Sequence, residues 1–300
     1  MIKPSGALRT GKKFSKPAMS RVINGDTELT EAPVAPEKIR LDHLLTDQYP
    51  SYNRSTLQKF IKQGFVTIDG EVATKPNQSV LPSAKIKLNL PPEDRELPRI
   101  PVIYEDDNVL VLNKPAGLLS MAKGEYCPEP TLEDYGLLVH RLDRDTSGVV
   151  ILAKNLEAQK MLRRQFQDRK AHKTYYAIVE GHPKEPEALI DLPIERNFKR
   201  PNTFLITPNG KASQTHYKVM KQNASYSLLE LKPTTGRTHQ LRVHLQYLGT
   251  PILGDRVYGS ADATKAPRLY LHAYQLEITI PEGQRRTFTA PLPPEFKDVL

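Results

Sequence analysis

Nine consecutive residues, His140-Arg-Leu-Asp-Arg-Asp-Thr-Ser-Gly148, stand between the apolar runs Leu137-Leu-Val139 and Val149-Val-Ile-Leu152. Five of the nine can carry charge: His140, Arg141, Asp143, Arg144 and Asp145. Charge this dense beside strand-forming sequence costs free energy unless it is paired or lies at the mouth of a site. Two readings stay open. Either the loop neutralises itself, or one carboxylate is kept ionised by an arginine to serve as nucleophile or base. On a strand, Asp143 and Asp145 would share one face, an arrangement that also suits paired-carboxylate glycoside cleavage.

Two further segments place polar groups among apolar ones. Lys173-Thr-Tyr-Tyr-Ala-Ile-Val-Glu-Gly181 reads as a strand whose adjacent tyrosines point to opposite faces, one free to offer a plane to a base and one free to fill a core. Pro233-Thr-Thr-Gly-Arg-Thr-His-Gln-Leu-Arg-Val-His244 leads on to Gly249-Thr-Pro-Ile-Leu-Gly-Asp-Arg-Val-Tyr-Gly259. Arg237 and Arg242 there suit a phosphate or a bidentate carboxylate pair.

Several chemistries lack their residues. No glycine fingerprint for dinucleotides occurs, and Gly210-Lys211 lacks the rest of a phosphate loop. No serine elbow is present. His239 and His244 miss the helical zinc spacing, and Cys127 is the one cysteine, so neither a metal site nor a disulfide is expected. No apolar run reaches membrane-spanning length and no secretory leader is evident, which points to a cytoplasmic protein. The net charge of +9 suits a polyanionic partner, but six basic residues fall within the first 21, so much of the excess belongs to a tail.

The elements that must position these segments are short. Residues 1–37 read as a disordered basic tail. From Lys38, Leu41, Leu44 and Leu45 share a helical face, as do Leu57, Phe60 and Ile61, with Gly64 closing the second helix. Alternating strands follow, turned by Asp69-Gly70. Residues 91–99 read as a linker. Beyond them come strands at Ile100 to Tyr104, Val109 to Leu112, Val149 to Leu152, Tyr175 to Val179, Thr215 to Val219, Tyr226 to Leu231 and Glu277 to Ile280. One helix starts from an Asn155 cap and another lies near His239 to Tyr247. Many strands and few helices predict an α+β fold on a mixed, mostly antiparallel sheet, preceded by a small module of a helix pair plus strands.

Arg40-Leu-Asp-His-Leu-Leu, followed by Arg54-Ser-Thr-Leu-Gln-Lys-Phe-Ile-Lys-Gln-Gly-Phe-Val-Thr-Ile-Asp-Gly70, resembles the S-four (alpha-L) RNA-binding domain over residues 38–90. The resemblance makes Arg40, Arg54, Lys59, Lys62 and Lys75 candidates for phosphate contact. Otherwise they merely solvate two amphipathic helices.

The three polar segments, in this order, resemble the motifs of the RluA-type pseudouridine synthases of ribosomal and transfer RNA. The resemblance runs from Ile100 to Leu292 within a catalytic domain of residues 100–300. It implies that Asp143 is the essential aspartate, Tyr175 the active-site tyrosine and Arg242 the arginine paired with Asp143, with Arg237 the lesser candidate for that pairing. Arg141 then contacts RNA beside the extruded base, and Arg237 and His239 join it as substrate contacts. The implied reaction breaks the glycosidic bond, turns the uracil and rejoins it through carbon, with no cofactor. One departure is the span between Gly117 and His140, 22 residues where relatives often carry more, which bears on RNA preference. Large-subunit ribosomal RNA is the expected substrate, transfer RNA the alternative, and a monomer the expected state. The rivals are a non-catalytic RNA-binding protein and a carboxylate-pair glycosidase.

Overall fold

The computed structural model describes residues 37–90, 97–122, 127, 129–261 and 265–300. The expected basic tail lies outside these residues but for Glu37, as do residues 91–96 of the expected linker. Residues 123–126 and 128, within the departing span, also lie outside.

The first group of elements is β1 (Ile39–Arg40), α1 (Leu41–Gln48), α2 (Arg54–Lys62), β2 (Val66–Ile68), β3 (Glu71–Ala73), β4 (Ser79–Val80) and β5 (Ile86–Leu88). The Asn53 side chain caps α2 by accepting from the Thr56 N–H at 3.0 Å. Asp69 and Gly70 both take positive φ, 51° and 93°, as a two-residue hairpin between β2 and β3 demands. Leu41, Leu45, Leu57 and Ile61 close a small core of their own.

The second group is β6 (Val102–Glu105), β7 (Val109–Lys114), β8 (Leu137–Leu138), β9 (Ser147–Ala153), α3 (Leu156–Gln167), β10 (His172–Glu180), β11 (Glu187–Asp191), β12 (Ile194–Arg196), β13 (Phe204–Ile206), β14 (Gln214–Gln222), β15 (Tyr226–Pro233), α4 (Gln240–Tyr247), β16 (Leu271–Thr279), β17 (Arg285–Thr289) and α5 (Glu295–Val299). Asn155 caps α3 through the Ala158 N–H at 2.9 Å, as its sequence position predicts. The strand expected at Glu277 to Ile280 is the end of a longer one, and sequence periodicity did not reveal the β12–β13 hairpin or β17.

Ten strands form one sheet in the order β11-β14-β15-β10-β16-β9-β7-β6, with β8 beside β9 and β17 beside β16. Every pairing is antiparallel except β9 with β16, so the fold is the expected mixed α+β type. At that parallel contact Gly148 has φ +117°, and a Cβ there would strike the Ala273 backbone. The close approach therefore requires glycine at the end of the loop that carries Asp143.

Two apolar clusters cover the sheet. One gathers Val111, Ile151, Leu162 and Ile278; the other gathers Ile178, Leu229, Leu245 and Ile252. Tyr175 packs against both. The loop before β9 comes from the first half and α4 from the second, so the residues they carry meet at the seam.

Candidate active site

Asp143 sits in the loop between β8 and β9, and the backbone around it is clamped. Ser120 Oγ accepts from the Leu142 N–H at 3.1 Å and donates to the Leu142 carbonyl at 2.7 Å. The Lys114 ammonium, fully buried, donates to the carbonyls of Pro115 at 2.8 Å and Arg144 at 2.9 Å. Burial pushes Lys114 down to about 7, against the opposing pull of Asp145 and Asp143. Leu142 is buried, while the Asp143 side chain keeps 20% of its surface exposed. The aspartate is therefore half-buried rather than buried.

This geometry separates the two readings of the loop. His140 accepts the Ile151 N–H at 3.2 Å and stacks on Phe166, and burial pushes it down to about 3, so it carries no charge. Arg144 turns to Glu129 at 2.7 Å, and Asp143 turns to Arg242, outside the loop. Asp145 is exposed and stands off the cavity wall. Residues 143–146 form a turn and not a strand, so the two carboxylates do not share a face. That removes the paired-carboxylate arrangement.

Arg242 reaches Asp143 with Nη1 at 3.4 Å, but its stronger partner is Asp255. Nε and Nη2 meet the two Asp255 oxygens at 2.7 and 2.8 Å, a bidentate pair. Burial opposes both charges, yet their mutual hydrogen bonds prevail, holding Asp255 below the usual carboxylate range and Arg242 above its ordinary value. Asp255 also accepts the N–H groups of Val257 and Tyr258 at 2.9 and 3.0 Å. The expected pairing of Arg242 with Asp143 is thus the lesser half of a relay, Asp255 to Arg242 to Asp143. Tyr258 stands beside Arg242, its ring 5.1 Å from the guanidinium.

His239 precedes α4 in the left-handed region, φ 56°, without capping the helix. Its Nδ1 lies 2.8 Å from the Tyr258 hydroxyl and its Nε2 4.0 Å from Asp143. Burial holds it below its ordinary value; Asp143 pulls the other way, and Arg242 adds to the lowering.

Asp143, His239 and Arg242 line a cavity of about 450 Å³. Among the described residues Asp143 is its one lining carboxylate, and Arg141, Arg169, Lys173, Arg237 and Arg242 also line it. Tyr175 enters from β10, where a bulge shifts the register against β16 between Thr174 and Tyr175. Burial, and secondarily Asp143, raises its phenol above the ordinary value. Tyr176 leaves the other face to meet Tyr274 edge-on at 4.8 Å, which resolves the tyrosine pair. Lys173, pushed down by burial to about 8, donates to the Thr235 carbonyl at 3.2 Å.

Of the other candidates, Arg237 lines the cavity but donates to the Ala212 carbonyl at 3.2 Å. Arg141 is exposed on the rim, 3.6 Å from the Met121 sulfur. In the N-terminal module Lys59, Lys62 and Lys75 are exposed. Arg40 and Arg54 are not free cations: both bind the buried Asp42, at 3.0 and 2.9 Å, with Gln58 at 2.6 Å. Sequence reasoning assigned no role to Asp42, Lys114, Lys173, Asp255 or Tyr258. Asp255 and Tyr258 fall in the segment Gly249 to Gly259 that follows Arg242, but a contact across 13 residues has no periodic signature. No group of three metal-binding side chains occurs among the described residues, and no helix among them is long and apolar enough to cross a membrane.

Two family models match the chain: RNA pseudouridylate synthase over residues 108–247 and the S4 domain over residues 39–86. Ribosomal large subunit pseudouridine synthase D of Nitrosomonas europaea is 35% identical, the match covering 97% of this chain and 93% of that protein. The dual-specificity RNA pseudouridine synthase RluA of Escherichia coli is 44% identical over 67% of this chain and 95% of its own length. Human RNA Pseudouridylate Synthase Domain Containing 1 superposes with a TM-score of 0.57 at 31% identity, covering 64% of this chain and 83% of that one. Similarity of this depth along nearly the whole length makes the chain a member of the RNA pseudouridine synthase family, enzymes that isomerise uridine within RNA.

Proposed function

We propose that Asp143 performs the isomerisation, on a uridine of large-subunit ribosomal RNA. The observation that carries the first part is its isolation: it is the one carboxylate among the described lining residues, five cationic side chains share the wall with it, and Arg242 is 3.4 Å away. The cations suit the phosphates on either side of an extruded nucleotide, and the cavity admits a base out of its stack. Residues 38–90 would add affinity for structured RNA and residues 100–300 would carry the chemistry.

The reaction conserves atoms and electrons. The bond from N1 to the ribose anomeric carbon breaks, a bond from C5 forms, the C5 proton leaves and N1 gains one. Asp143 can begin this by attacking the anomeric carbon, by adding to the uracil ring or by taking a sugar proton; each route requires the carboxylate form. Arg242, itself anchored by Asp255, supplies the counter-charge and fixes where that carboxylate stands. The raised phenol of Tyr175 keeps its proton at neutral pH, which favours stacking of its ring on the uracil.

Support for the ribosomal target comes from the relative named for the large subunit, which matches both parts of this chain. Transfer RNA, the alternative implied by the sequence resemblance, is kept as a second reading because a relative 44% identical is named for dual specificity. The test is turnover of tritiated-uridine transcripts of each RNA by wild type and Asp143→Asn. Pseudouridine from wild type, with binding but no turnover in the variant, is expected. Near-normal turnover by Asp143→Asn would remove the aspartate from its role.

A further inference from the structure

His239 has no part in the chemistry described above, yet its backbone is held in an unfavourable place. At φ 56° and ψ 17° it occupies the left-handed region, which costs a residue with a Cβ free energy and concentrates at functional sites. The neighbouring Gln240 pins the turn. Its Oε1 accepts the Arg237 N–H at 3.0 Å and the Thr235 hydroxyl at 2.8 Å, and its Nε2 donates to the Gln214 carbonyl at 2.9 Å. The His239 imidazole does not cap the helix that follows. It stands edge-on to two rings instead, Phe204 at 5.4 Å and Tyr258 at 5.6 Å, which fix its plane.

The hydrogen bonds around the ring select its tautomer. The Tyr258 hydroxyl oxygen accepts the Phe204 N–H at 2.8 Å, and burial raises the phenol, so it keeps its own proton at neutral pH. Nδ1 of His239 lies 2.8 Å from the same oxygen, and burial holds the imidazole below its ordinary value, so the ring carries one proton. A proton on Nδ1 would give the Tyr258 oxygen two donors and leave its own proton without an acceptor among the described residues. It would also turn the Nε2 lone pair towards a carboxylate. With the proton on Nε2, the hydroxyl donates to Nδ1 and the Nε2–H faces Asp143.

Nε2 lies 4.0 Å from Oδ2 of Asp143, and Arg242 Nη1 lies 3.4 Å from that same oxygen. Hydrogen bonds at reaction centres often shorten to about 3 Å only when substrate is in place. We propose that His239 is a positioning residue: its Nε2–H and the Arg242 guanidinium together hold Oδ2 of Asp143 and leave Oδ1 as the oxygen that reacts. A carboxylate held at one oxygen by two donors presents the other in a single direction, whichever first step it takes. This role rests on the reading that Asp143 performs the isomerisation.

The test uses the full chain and a large-subunit ribosomal RNA transcript. His239→Met removes the donor and keeps the bulk; His239→Gln returns an amide donor near the place of Nε2. Met is expected to lower kcat about 100-fold with KM and RNA Kd near wild type, and Gln to recover about tenfold of that loss. Wild-type kcat in His239→Met overturns the role. Equal kcat in Met and Gln overturns the donor, leaving a space-filling ring, and a raised Kd with unchanged kcat makes His239 an RNA contact instead. Nitrogen-15 NMR of the histidine-labelled wild-type chain, with His239 assigned by its loss in the Gln variant, reads the tautomer without reference to activity. A protonated Nε2 is expected, and a protonated Nδ1 overturns the role even if the Met variant fails to fold. Turnover by Asp143→Asn strikes the reading of Asp143 instead, and the tautomer is still judged on its own.

Discussion

In the N-terminal module Asp42 is wholly buried, while the arginines it binds, Arg40 and Arg54, keep 48% and 45% of their side chains exposed. At the cavity, Asp255 and Arg242 are both buried, 1% and 7% exposed. The pairing chemistry is the same, but the placement of the cation differs. A half-exposed guanidinium on a buried acid is an oriented positive group that still faces solvent, suited to a phosphate passing over the surface. A buried guanidinium with two of its nitrogens committed has one direction left, and here that direction ends at Asp143. The first arrangement leaves its cations open to a partner in solvent, and the second leaves its cation one fixed direction.

Breaking the inner pair should have the largest effect. Arg242→Met leaves Asp255 as a buried carboxylate with only backbone donors, a loss of about 3–5 kcal/mol. Thermal unfolding should show it, and Arg242→Lys should recover most of the stability without recovering turnover. Recovery of turnover by lysine would mean that charge alone, and not the forked geometry, places Asp143.

The outer pair should respond less in stability and more in affinity. Asp42→Asn releases two arginines that water can resolvate, costing about 1–3 kcal/mol. RNA binding should weaken while kcat at saturating RNA stays constant. A fall in kcat would erase the distinction between the two clusters. Burial would raise the Asp42 carboxyl, but hydrogen bonds from Arg40, Gln58 and Arg54 hold it well below the usual carboxylate range. Its contribution is therefore present above the ordinary carboxylate pKa and is lost as pH falls below that. Acid unfolding of Asp42→Asn should begin from a lower plateau and fall less steeply than wild type.

Lys114 sharpens the comparison because it is a buried cation bonded to carbonyls. Its value near 7 lies below the ordinary 10.5, so between those values the unfolded chain holds the extra proton. Stability should then rise with pH across that window, by at most about 1.4 kcal/mol per unit from this group. Melting curves from pH 7 to 10 should show that rise in wild type and a flatter profile in Lys114→Met. Equal slopes would show that the buried ammonium does not titrate there.

The local pattern of the chain carried much of this. The helix faces around Leu41 and Leu57, the Asp69-Gly70 turn and the Asn155 cap depend on neighbours within a few residues, where periodicity and turn chemistry act. Asp143, Tyr175 and Arg242 were legible because their segments resemble family motifs, and the cavity does bring all three together. The alternating pattern of β10 also determined that Tyr175 and Tyr176 part company; which one faces the cavity was decided by the bulge and by the strands on either side.

What only the tertiary structure decided are the long-range partners. Asp255 lies 13 residues from Arg242, and Asp42 meets Arg54 across 12. Lys114 reaches Arg144 across 30 residues. A buried charge selects its partner by where the packed sheet and helices leave an opposite group within hydrogen-bond reach, and no spacing in the chain encodes that distance. The sequence by itself, through its resemblance to a family, therefore nominated Asp143 and Arg242 as the candidate pair, and the fold places both on one cavity. The fold determined that the arginine is tethered behind by Asp255, and that one of its nitrogens is left to face Asp143.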